Sequence, residues 1–302
     1  MHKNSAEHIS LKNDHSATMK QVILTIEENI ALTPTTYRMK LAGDVSAVTA
    51  PGQFINIRLD GHFLRRPISV NDIEYGQNSD TAGSWQGRDG IVTIIYKVLG
   101  HGTEEMTHFM PGKRLDVLTG LGNGYDLSTS GEHPLLIGGG VGIPPLYLAA
   151  KKLIAQGKDV TVILGFNSSD EMYYIDEFEQ LGCSVAVSTA DGSSGIRGFV
   201  TDAFRDLASR CDSPCLAEAG LAEESDSEFT RFTHFYTCGP EPMLKAVYNE
   251  VFREAGISGQ MSFEERMGCG FGACMGCSCR TVTGYKRICK DGPVLRTEEI
   301  LW

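Results

Sequence analysis

The sequence lacks three features that would assign it to large classes of proteins. No apolar run approaches the roughly 18 residues that a membrane-spanning helix needs, so we expect no helix to cross a membrane. Acidic residues outnumber basic ones and the formal net charge is −11, so the composition offers no basic surface for a nucleic acid. The start of the chain does not resemble a signal peptide, and we expect a cytoplasmic protein with reduced thiols.

What the chain does contain is enough apolar material for more than one core, because 41% of its 302 residues are hydrophobic. Residues 1–19 are polar, and their scattered histidines lack the regular spacing of metal ligands, so we expect a disordered tail. The remaining sequence shows three different patterns, from which we predict domains at residues 20–128, 129–256 and 257–302.

The first predicted domain, residues 20–128, consists of short runs rich in β-branched and aromatic residues. Proline-glycine pairs at 51–52 and 111–112 are among the turn signals that separate these runs. The pattern predicts a small antiparallel β-barrel, with one helical segment at 102–109. A polar, glycine-rich insertion at 75–90 is interpreted as a surface loop.

Two features of the barrel domain suggest anion binding. Arg66 and Ser69 lie three residues apart where a strand should end, and they offer a planar cation and a hydroxyl to one anion. Gly100, Gly102 and Thr103 open the helical segment, whose first N–H groups would suit a phosphate. A surface arginine beside a proline and an ordinary helix start explain the two features at least as well, when each is taken alone.

The second predicted domain, residues 129–256, alternates apolar runs with helical patterns, which predicts a parallel sheet with helices on both faces. Its first strand leads into a glycine loop from Gly138 to Gly142, and Pro144 and Pro145 occupy the first turn of the next helix. A glycine turn at this strand end is where such sheets bind dinucleotides. The loop has only part of the full glycine fingerprint, and a tight turn without a ligand is the alternative.

Cys238 ends the last apolar strand of this domain, beside Gly239 and Pro240. A thiol at the carboxyl edge of the sheet could face a bound nicotinamide. A free cysteine is also a common small core residue, so the residues alone leave both interpretations open.

The third predicted domain contains a glycine-rich segment in which five of the nine cysteines fall between positions 269 and 289. Cys269, Cys274 and Cys277 have the four-then-two spacing with which plant-type ferredoxins bind two irons and two sulfides. The intervening glycines let the backbone wrap closely around the sulfides. Cys289 is the natural fourth ligand, with Cys279 as its rival or as a substitute for Cys277.

Structural zinc is the main alternative for these thiols, and a disulfide framework is a weaker one. Zinc sites usually combine two pairs of ligands across a longer spacer, whereas here one loop carries three candidate ligands. Disulfides are unexpected where thiols stay reduced. We therefore expect a small C-terminal domain that binds an iron-sulfur cluster.

The chain resembles the ferredoxin-NADP reductase superfamily, because short motifs occur in the order and spacing of that superfamily. They are PGQF (51–54), RPIS (66–69), IYKVLGHGT (95–103), GLGNGY (120–125), GGGVGIPPL (138–146) and TCGPEPM (237–243). With CGFGACMGC and CKDGPVL added near the end, the chain resembles the electron-transfer subunits of class 1B dihydroorotate dehydrogenases over nearly all of its length. Cys279 and the polar insertions at 75–90 and 211–230 depart from the family pattern.

The resemblance implies three cofactors, FAD, a 2Fe-2S cluster and NAD, and a set of residues for each. The implied FAD site comprises Arg66, Pro67, Ile68, Ser69, Ile95, Tyr96, Lys97, Gly102 and Thr103. The implied NAD site comprises Gly138, Gly139, Gly140, Val141, Gly142, Ile143 and Pro144, with Cys238 near the nicotinamide as the expected catalytic residue. The implied cluster ligands are Cys269, Cys274, Cys277 and Cys289. Arg66 would contact the FAD pyrophosphate, and Ser69 would lie near the isoalloxazine.

The resemblance also implies a function and a partner. A separate FMN-containing dihydroorotate dehydrogenase subunit would oxidise dihydroorotate to orotate in pyrimidine biosynthesis, and two copies of each subunit would form a heterotetramer. This chain would carry the electrons singly through the cluster to FAD and then, as a hydride, to NAD⁺. The alternatives are a subunit of a bifurcating ferredoxin:NADP reductase, hydrogenase or sulfide-oxidising complex, a redox-sensing binding module, and a zinc-stabilised scaffold.

Overall fold

The computed structural model describes residues 19–75, 89–211 and 232–302 of the chain. The predicted tail and the two polar insertions lie almost wholly outside these ranges. The described residues form a closed β-barrel, a seven-stranded sheet flanked by helices, and a C-terminal segment that leaves this sheet and returns to it. This architecture confirms the predicted fold class.

The barrel consists of six antiparallel strands: β1 (Lys20–Ala31), β2 (Thr36–Asp44), β3 (Phe54–Ile57), β4 (Arg66–Tyr75), β5 (Asp89–Lys97) and β6 (Arg114–Leu121). They pair in the order β1-β2-β5-β4-β3-β6, and β6 pairs with β1 to close the barrel. Alternate side chains of a strand point inward, and the interior holds apolar side chains such as Leu24, Met39 and Ile94, all completely buried. The short helix α1 (His101–Thr107) adds Met106 to this core.

Nine further strands follow in the described ranges: β7 (Pro134–Gly139), β8 (Thr161–Phe166), β9 (Ser184–Thr189), β10 (Ile196–Arg197), β11 (His234–Cys238), β12 (Gly259–Ser262), β13 (Ser278–Thr281), β14 (Gly284–Arg287) and β15 (Val294–Arg296). Seven of them form one sheet in the order β10-β9-β8-β7-β11-β12-β15. The neighbours in this sheet are parallel except for β15, which is antiparallel to β12. Strands β13 and β14 form a separate hairpin.

Helices cover both faces of the sheet: α2 (Pro144–Ala155) and α3 (Ile175–Gln180) on one, and α4 (Val200–Cys211) and α5 (Glu241–Val247), continued by the π-helical segment Tyr248–Glu254, on the other. Successive residues of β7 show the alternation, since Leu135 packs with Phe204 of α4, while Leu136 packs with Phe178 of α3. Burial on both faces explains the continuous apolar strand patterns. The longest α-helices among the described residues have 12 residues, and none is long and apolar enough to cross a bilayer.

After β12 the chain leaves the sheet, passes through the cysteine-rich loop (residues 268–277), the β13–β14 hairpin and helix α6 (Ile288–Asp291), and returns as β15. Asn123, between the barrel and the sheet, secures this return. Its side chain donates to the Val294 carbonyl at 2.8 Å and accepts from the Val294 N–H at 3.1 Å. The domain boundaries stay predictions; β12 and β15, which lie beyond the predicted boundary at residue 257, pair within the seven-stranded sheet.

Two polar contacts join the barrel to the helical layer of the sheet. The Asn71 amide donates to the Tyr174 hydroxyl at 2.9 Å, and Lys151 of α2 pairs with Asp72 at 2.8 Å. Asn71 and Asp72 are both buried, so these contacts are shielded from competing water on the barrel side. These contacts fix the position of the barrel relative to the sheet.

We expect Asn123→Ala to destabilise the chain by about 1 to 3 kcal/mol, because it leaves polar groups of the buried residue Val294 without their partner. The measurement is urea unfolding followed by circular dichroism. Asn167→Ala is the matched control, since the exposed Asn167 amide donates to Glu171 at the surface and its loss should change stability by less than about 0.5 kcal/mol. Equal unfolding midpoints for the two variants would contradict the proposed anchoring by Asn123.

Candidate functional site

The carboxyl ends of β7, β11 and β12 lie beside the barrel at a cavity of about 280 Å³. Ligands of open α/β sheets bind outside such strand ends, so this cavity is the first candidate site. It brings together eight of the nine residues predicted for FAD, namely Arg66, Pro67, Ile68, Ser69, Ile95, Tyr96, Lys97 and Thr103. Cys238, at the end of β11, lines the same cavity.

A second cavity, of about 550 Å³, adjoins the first one over the edge of the sheet, and Lys97, Leu99 and Val141 line both. Three residues of the predicted NAD loop line this second cavity, namely Gly139, Gly140 and Val141. Ser188 also lines it, and its completely buried hydroxyl has no hydrogen-bond partner among the described residues. A polar ligand such as a dinucleotide would satisfy that hydroxyl, so the cavity fits one.

The other residues of the predicted NAD loop support the cavity from behind. Gly142 lies against β11, and a Cβ at this position would overlap the Cys238 carbonyl. Gly138 packs against Ile143, and Ile143 and Pro144 are buried where α2 begins. These four residues therefore allow loop, strand and helix to approach one another closely.

Residues that sequence reasoning missed follow β12 at the same sheet edge. Phe263, Glu264 and Glu265 all line the 280 Å³ cavity together with Cys238. Desolvation by the surrounding protein raises the pKa of the Glu264 carboxyl, although the residue as a whole is exposed. Burial, assisted by the Glu264 carboxylate, raises the pKa of Cys238 well above its usual range, so this thiol stays protonated at neutral pH. The sequence carries little signal for the residues after β12, because that strand reads GQMS and Met261 is its one large apolar residue.

The Lys97 ammonium, predicted to line the flavin site, pairs with Glu171 at 3.1 Å where the two cavities meet. Burial opposes ionisation of Glu171, but hydrogen bonds from Lys97 and Asn167 lower its pKa. The pair joins the end of β5 to the segment after β8, and thereby links the two cavities' walls.

The Arg66 guanidinium lies against α1, directly over Gly102, where a Cβ would overlap it. One of its N–H groups donates to the Leu64 carbonyl at 2.6 Å. The Thr103 hydroxyl accepts a hydrogen bond from the Leu99 N–H at 3.0 Å, just before the start of helix α1. The structure thus requires a glycine at 102 for the approach of Arg66.

The four predicted cluster ligands lie between β12 and β15, at two depths. Cys277 and Cys289 are buried, and the Cys289 N–H donates to the Cys277 sulfur at 3.4 Å. Cys269 and Cys274 lie nearer the surface, and the Cys274 N–H donates to the Cys269 sulfur at 3.5 Å. The loop therefore directs backbone donors at thiol sulfurs.

The pKa shifts of these thiols reflect that environment. Burial alone would raise the pKa of Cys269, but loop N–H groups, chiefly those of Cys274 and Phe271, lower it to about 6. Burial, and then the neighbouring Cys277, raise the pKa of Cys289 to about 12. A bound cation beside the Cys289 sulfur would favour its thiolate form.

The glycines of the loop fit a two-iron cluster, because its sulfides need backbone close around them. Two irons bridged by sulfides need only two thiolates each. Gly270 and Gly272 have φ of 81° and 88°, and a Cβ there would overlap the side chains of Asn56 and Lys290, so the close wrap of the loop requires glycine.

Cys279, the rival ligand, lies in strand β13, after the cysteine-rich loop. It lines a different cavity, of about 310 Å³, beside Trp302. The ligand set Cys269, Cys274, Cys277 and Cys289 remains a prediction, and the position of Cys279 favours it.

The cysteine-rich loop adjoins the first cavity. Met267, two residues before Cys269, lines that cavity. The side chain of Asn56, in barrel strand β3, donates to the Cys269 carbonyl at 3.5 Å. A flavin in the cavity and a cluster in the loop would therefore be neighbours.

Comparisons with known proteins agree with this arrangement. The family model of the iron-sulfur cluster binding domain of dihydroorotate dehydrogenase B matches residues 264–301, and that of the oxidoreductase NAD-binding domain matches residues 136–249. The chain is 42% identical to the dihydroorotate dehydrogenase B (NAD(+)) electron transfer subunit of Fusobacterium nucleatum, over 93% of this chain and 99% of the relative. It is 36% identical to the same subunit of a Geobacillus species, over 94% and 99%.

Solved structures show the same architecture. The structure of an NADH-dependent reduced ferredoxin-NADP oxidoreductase, described for flavin-based electron bifurcation, matches with a TM-score of 0.73 and 29% identity, over 93% of this chain and 90% of that one. The cytochrome P450 reductase GcoB of Amycolatopsis matches with a TM-score of 0.59 and 18% identity, over 78% and 66%, which shows the fold alone.

The barrel, the nucleotide sheet and the cysteine-rich loop around two adjoining cavities define a flavin- and iron-sulfur-dependent, NAD-linked oxidoreductase of the ferredoxin-NADP reductase type. Within that class, the chain belongs to the family of dihydroorotate dehydrogenase B (NAD⁺) electron transfer subunits. Its cofactors are FAD, a 2Fe-2S cluster and NAD, and it transfers electrons in pyrimidine biosynthesis beside a catalytic subunit. These predictions from the sequence are confirmed.

We expect Cys274→Ser to abolish the visible thiolate-to-iron absorption of anaerobically purified protein, because it removes one of four cluster ligands. Cys279→Ser is the matched control, since this thiol lines a different cavity, and its spectrum should stay close to the original. The measurement is the absorption spectrum together with the iron content per chain. Loss of the cluster in the Cys279 variant would overturn the ligand assignment.

Proposed function

We propose that the chain passes electrons from an FMN-containing dihydroorotate dehydrogenase subunit through its cluster and FAD to NAD⁺, in a cytoplasmic heterotetramer with two copies of each subunit. One observation carries the order of the cofactors. The 280 Å³ cavity is lined both by Met267, which leads into the cysteine-rich loop, and by Val141 of the nucleotide loop. A flavin placed there would neighbour both the cluster and the nicotinamide.

In this proposal the barrel residues hold FAD. The Arg66 guanidinium would donate to the pyrophosphate, and Ser69 would contact the isoalloxazine. The cavity walls at Ile95 and Tyr96 are almost fully buried, so they would exclude water from the ring. FAD supplies the chemistry of exchanging single electrons with a cluster and a hydride with a nicotinamide.

The nucleotide loop and the strand ends would hold NAD across the second cavity. Gly139 and Gly140 lack side chains where a pyrophosphate would approach, and Ser188 offers an unused hydroxyl. Cys238 would lie near the nicotinamide as a neutral thiol, and Glu264 would be its polar neighbour. The role of this chain would thus be to position the cofactors and to exclude water.

The proposed partner contact is the cysteine-rich loop. Phe271 and Met275 are 43% and 55% exposed at its surface, beside the candidate ligands Cys269 and Cys274. Apolar side chains of this size at a surface loop suit burial against another subunit. Single electrons from the catalytic subunit would enter there.

A second function is supported by the likeness to the NADH-dependent reduced ferredoxin-NADP oxidoreductase, at a TM-score of 0.73. The same barrel, nucleotide sheet and cysteine-rich loop could serve a bifurcating complex with a different electron donor. The activity of the chain with an FMN dihydroorotate dehydrogenase subunit distinguishes the two functions.

We expect Arg66→Ala to weaken FAD binding at least about tenfold, because each charge-assisted hydrogen bond lost contributes roughly 1.5 to 3 kcal/mol. Arg66→Lys should rescue poorly, since lysine lacks the planar fork. Arg58→Ala is the control, because Arg58 is an exposed barrel arginine whose partner Asp116 lies 3.7 Å away. FAD content after gel filtration is the measurement, and an unchanged content in the Arg66 variants would refute the assignment.

The proposed division of labour between the two subunits can be tested on the purified chain. We expect the purified chain to oxidise NADH with ferricyanide as acceptor, because its flavin and nicotinamide cavities adjoin each other. It should not reduce NAD⁺ with dihydroorotate until an FMN subunit is added. Dihydroorotate-dependent activity of the chain alone would contradict this division, and inactivity with every FMN subunit tested would favour the bifurcating alternative.

A further inference from the structure

A polar side chain outside both cavities contacts Arg66. His62, in the loop between β3 and β4, lies with its Nδ1 2.8 Å from Arg66 Nη2. Its Nε2 lies 2.9 Å from a carboxylate oxygen of Glu105, on α1. The ring therefore connects the barrel loop, the arginine and the helix in one chain of hydrogen bonds.

The chemistry of these contacts determines the state of the imidazole. A guanidinium can only donate, so Nδ1 of His62 must accept and carry no proton. The single proton of the neutral ring then lies on Nε2, which donates to the carboxylate of Glu105. Glu105 thus holds His62 in the one tautomer that can accept a hydrogen bond from Arg66.

The same contacts orient the guanidinium. Nη1 of Arg66 donates to the Leu64 carbonyl at 2.6 Å, Nη2 donates to His62, and the missing side chain of Gly102 lets the guanidinium lie against α1. A guanidinium has five N–H donors, so roughly three remain for a ligand in the cavity that Arg66 lines.

We infer that His62 is a positioning residue for the FAD site, which sets the orientation of Arg66 before FAD binds. This inference rests on the proposed assignment of Arg66 to the FAD pyrophosphate. A free arginine side chain samples many rotamers, and a ligand must order it on binding. An arginine already held by His62 avoids most of that loss, which corresponds to about three- to tenfold in affinity.

The test compares two polar substitutions, each of which keeps one of the two hydrogen-bonding positions of the imidazole. His62→Asn keeps an acceptor close to the position of Nδ1, whereas His62→Gln reaches the position of Nε2 and keeps a donor for Glu105. The probe is FAD itself, and the readout is the rate of its release from the full chain, followed by the recovery of flavin fluorescence after dilution.

We expect His62→Ala and His62→Gln to release FAD about three to ten times faster than the parent chain, and His62→Asn to stay within about twofold. The thermal unfolding midpoint and the cluster absorption should be unchanged in all three. Rescue by Gln and not by Asn would show that His62 only ties its loop to α1, and would overturn the inference. Unchanged release from the Ala variant would also overturn it.

A double-substitution cycle with Arg66 separates this inference from the proposed FAD site. If His62 acts through Arg66, then His62→Ala should have no further effect on FAD release in an Arg66→Ala background. Unchanged release from Arg66→Ala itself would remove the proposed site, and the inference with it. Fast release from Arg66→Ala, with additive effects in the double variant, would leave the site intact and overturn only the role of His62.

Discussion

The antiparallel pairing of β15 with β12 holds the candidate redox sites together. The cysteine-rich loop begins just after β12 and the chain returns in β15, so the pairing brings both ends of the excursion to within one strand spacing, about 4.8 Å. Asn123 reinforces the return from the barrel side by bonding both polar backbone groups of Val294. The segment between these strands is therefore closed against the sheet edge and the barrel, where Met267 reaches the first cavity.

Close approach of backbone is the second constraint, and it recurs at each candidate cofactor site. Gly142 lets the nucleotide loop lie against the end of β11, Gly102 lets the Arg66 guanidinium lie on α1, and Gly270 lets the cysteine-rich loop meet Asn56 of the barrel. A side chain at Gly142 would push the loop away from β11, whereas one at Gly102 or Gly270 would displace the side chain of Arg66 or Asn56 from its contact. Electron transfer needs short distances between cofactors, so tight packing at these contacts serves function directly.

Electrostatics distinguish a neutral thiol at the strand ends from the charged groups around it. Burial holds Cys238 in its uncharged form beside the first cavity, whereas Glu264 is an exposed carboxyl whose pKa is raised. Lys97 and Glu171 are paired where the two cavities meet, and Arg66 also lines the first cavity. A neutral thiol suits the neighbourhood of the flavin and nicotinamide rings, whereas the cation of Arg66 suits a phosphate.

Local sequence patterns were sufficient to predict the barrel, the parallel sheet and the presence of an iron-sulfur cluster. Strand alternation, the glycine loop at 138–142 and the spacing of Cys269, Cys274 and Cys277 all depend on residues close together in the chain, and their geometry follows from backbone periodicity. Resemblance to a known family supplied the cofactor assignments and the candidate site residues. Both kinds of reasoning missed Glu264, and the role of Gly102 in phosphate binding, which the resemblance implied, stays a prediction.

Only the tertiary structure revealed contacts between residues that are distant in sequence. Glu264 reaches Cys238 because β12 and β11 end at one sheet edge, and Cys279 separates from the other cysteines because β13 directs it to another cavity. His62 meets Arg66 and Glu105 through a loop and a helix whose packing no local pattern encodes. The sequence by itself determined which elements form and which cofactor chemistry they can support. Long-range packing decided which side chains meet, because such contacts depend on how the elements fit together in three dimensions.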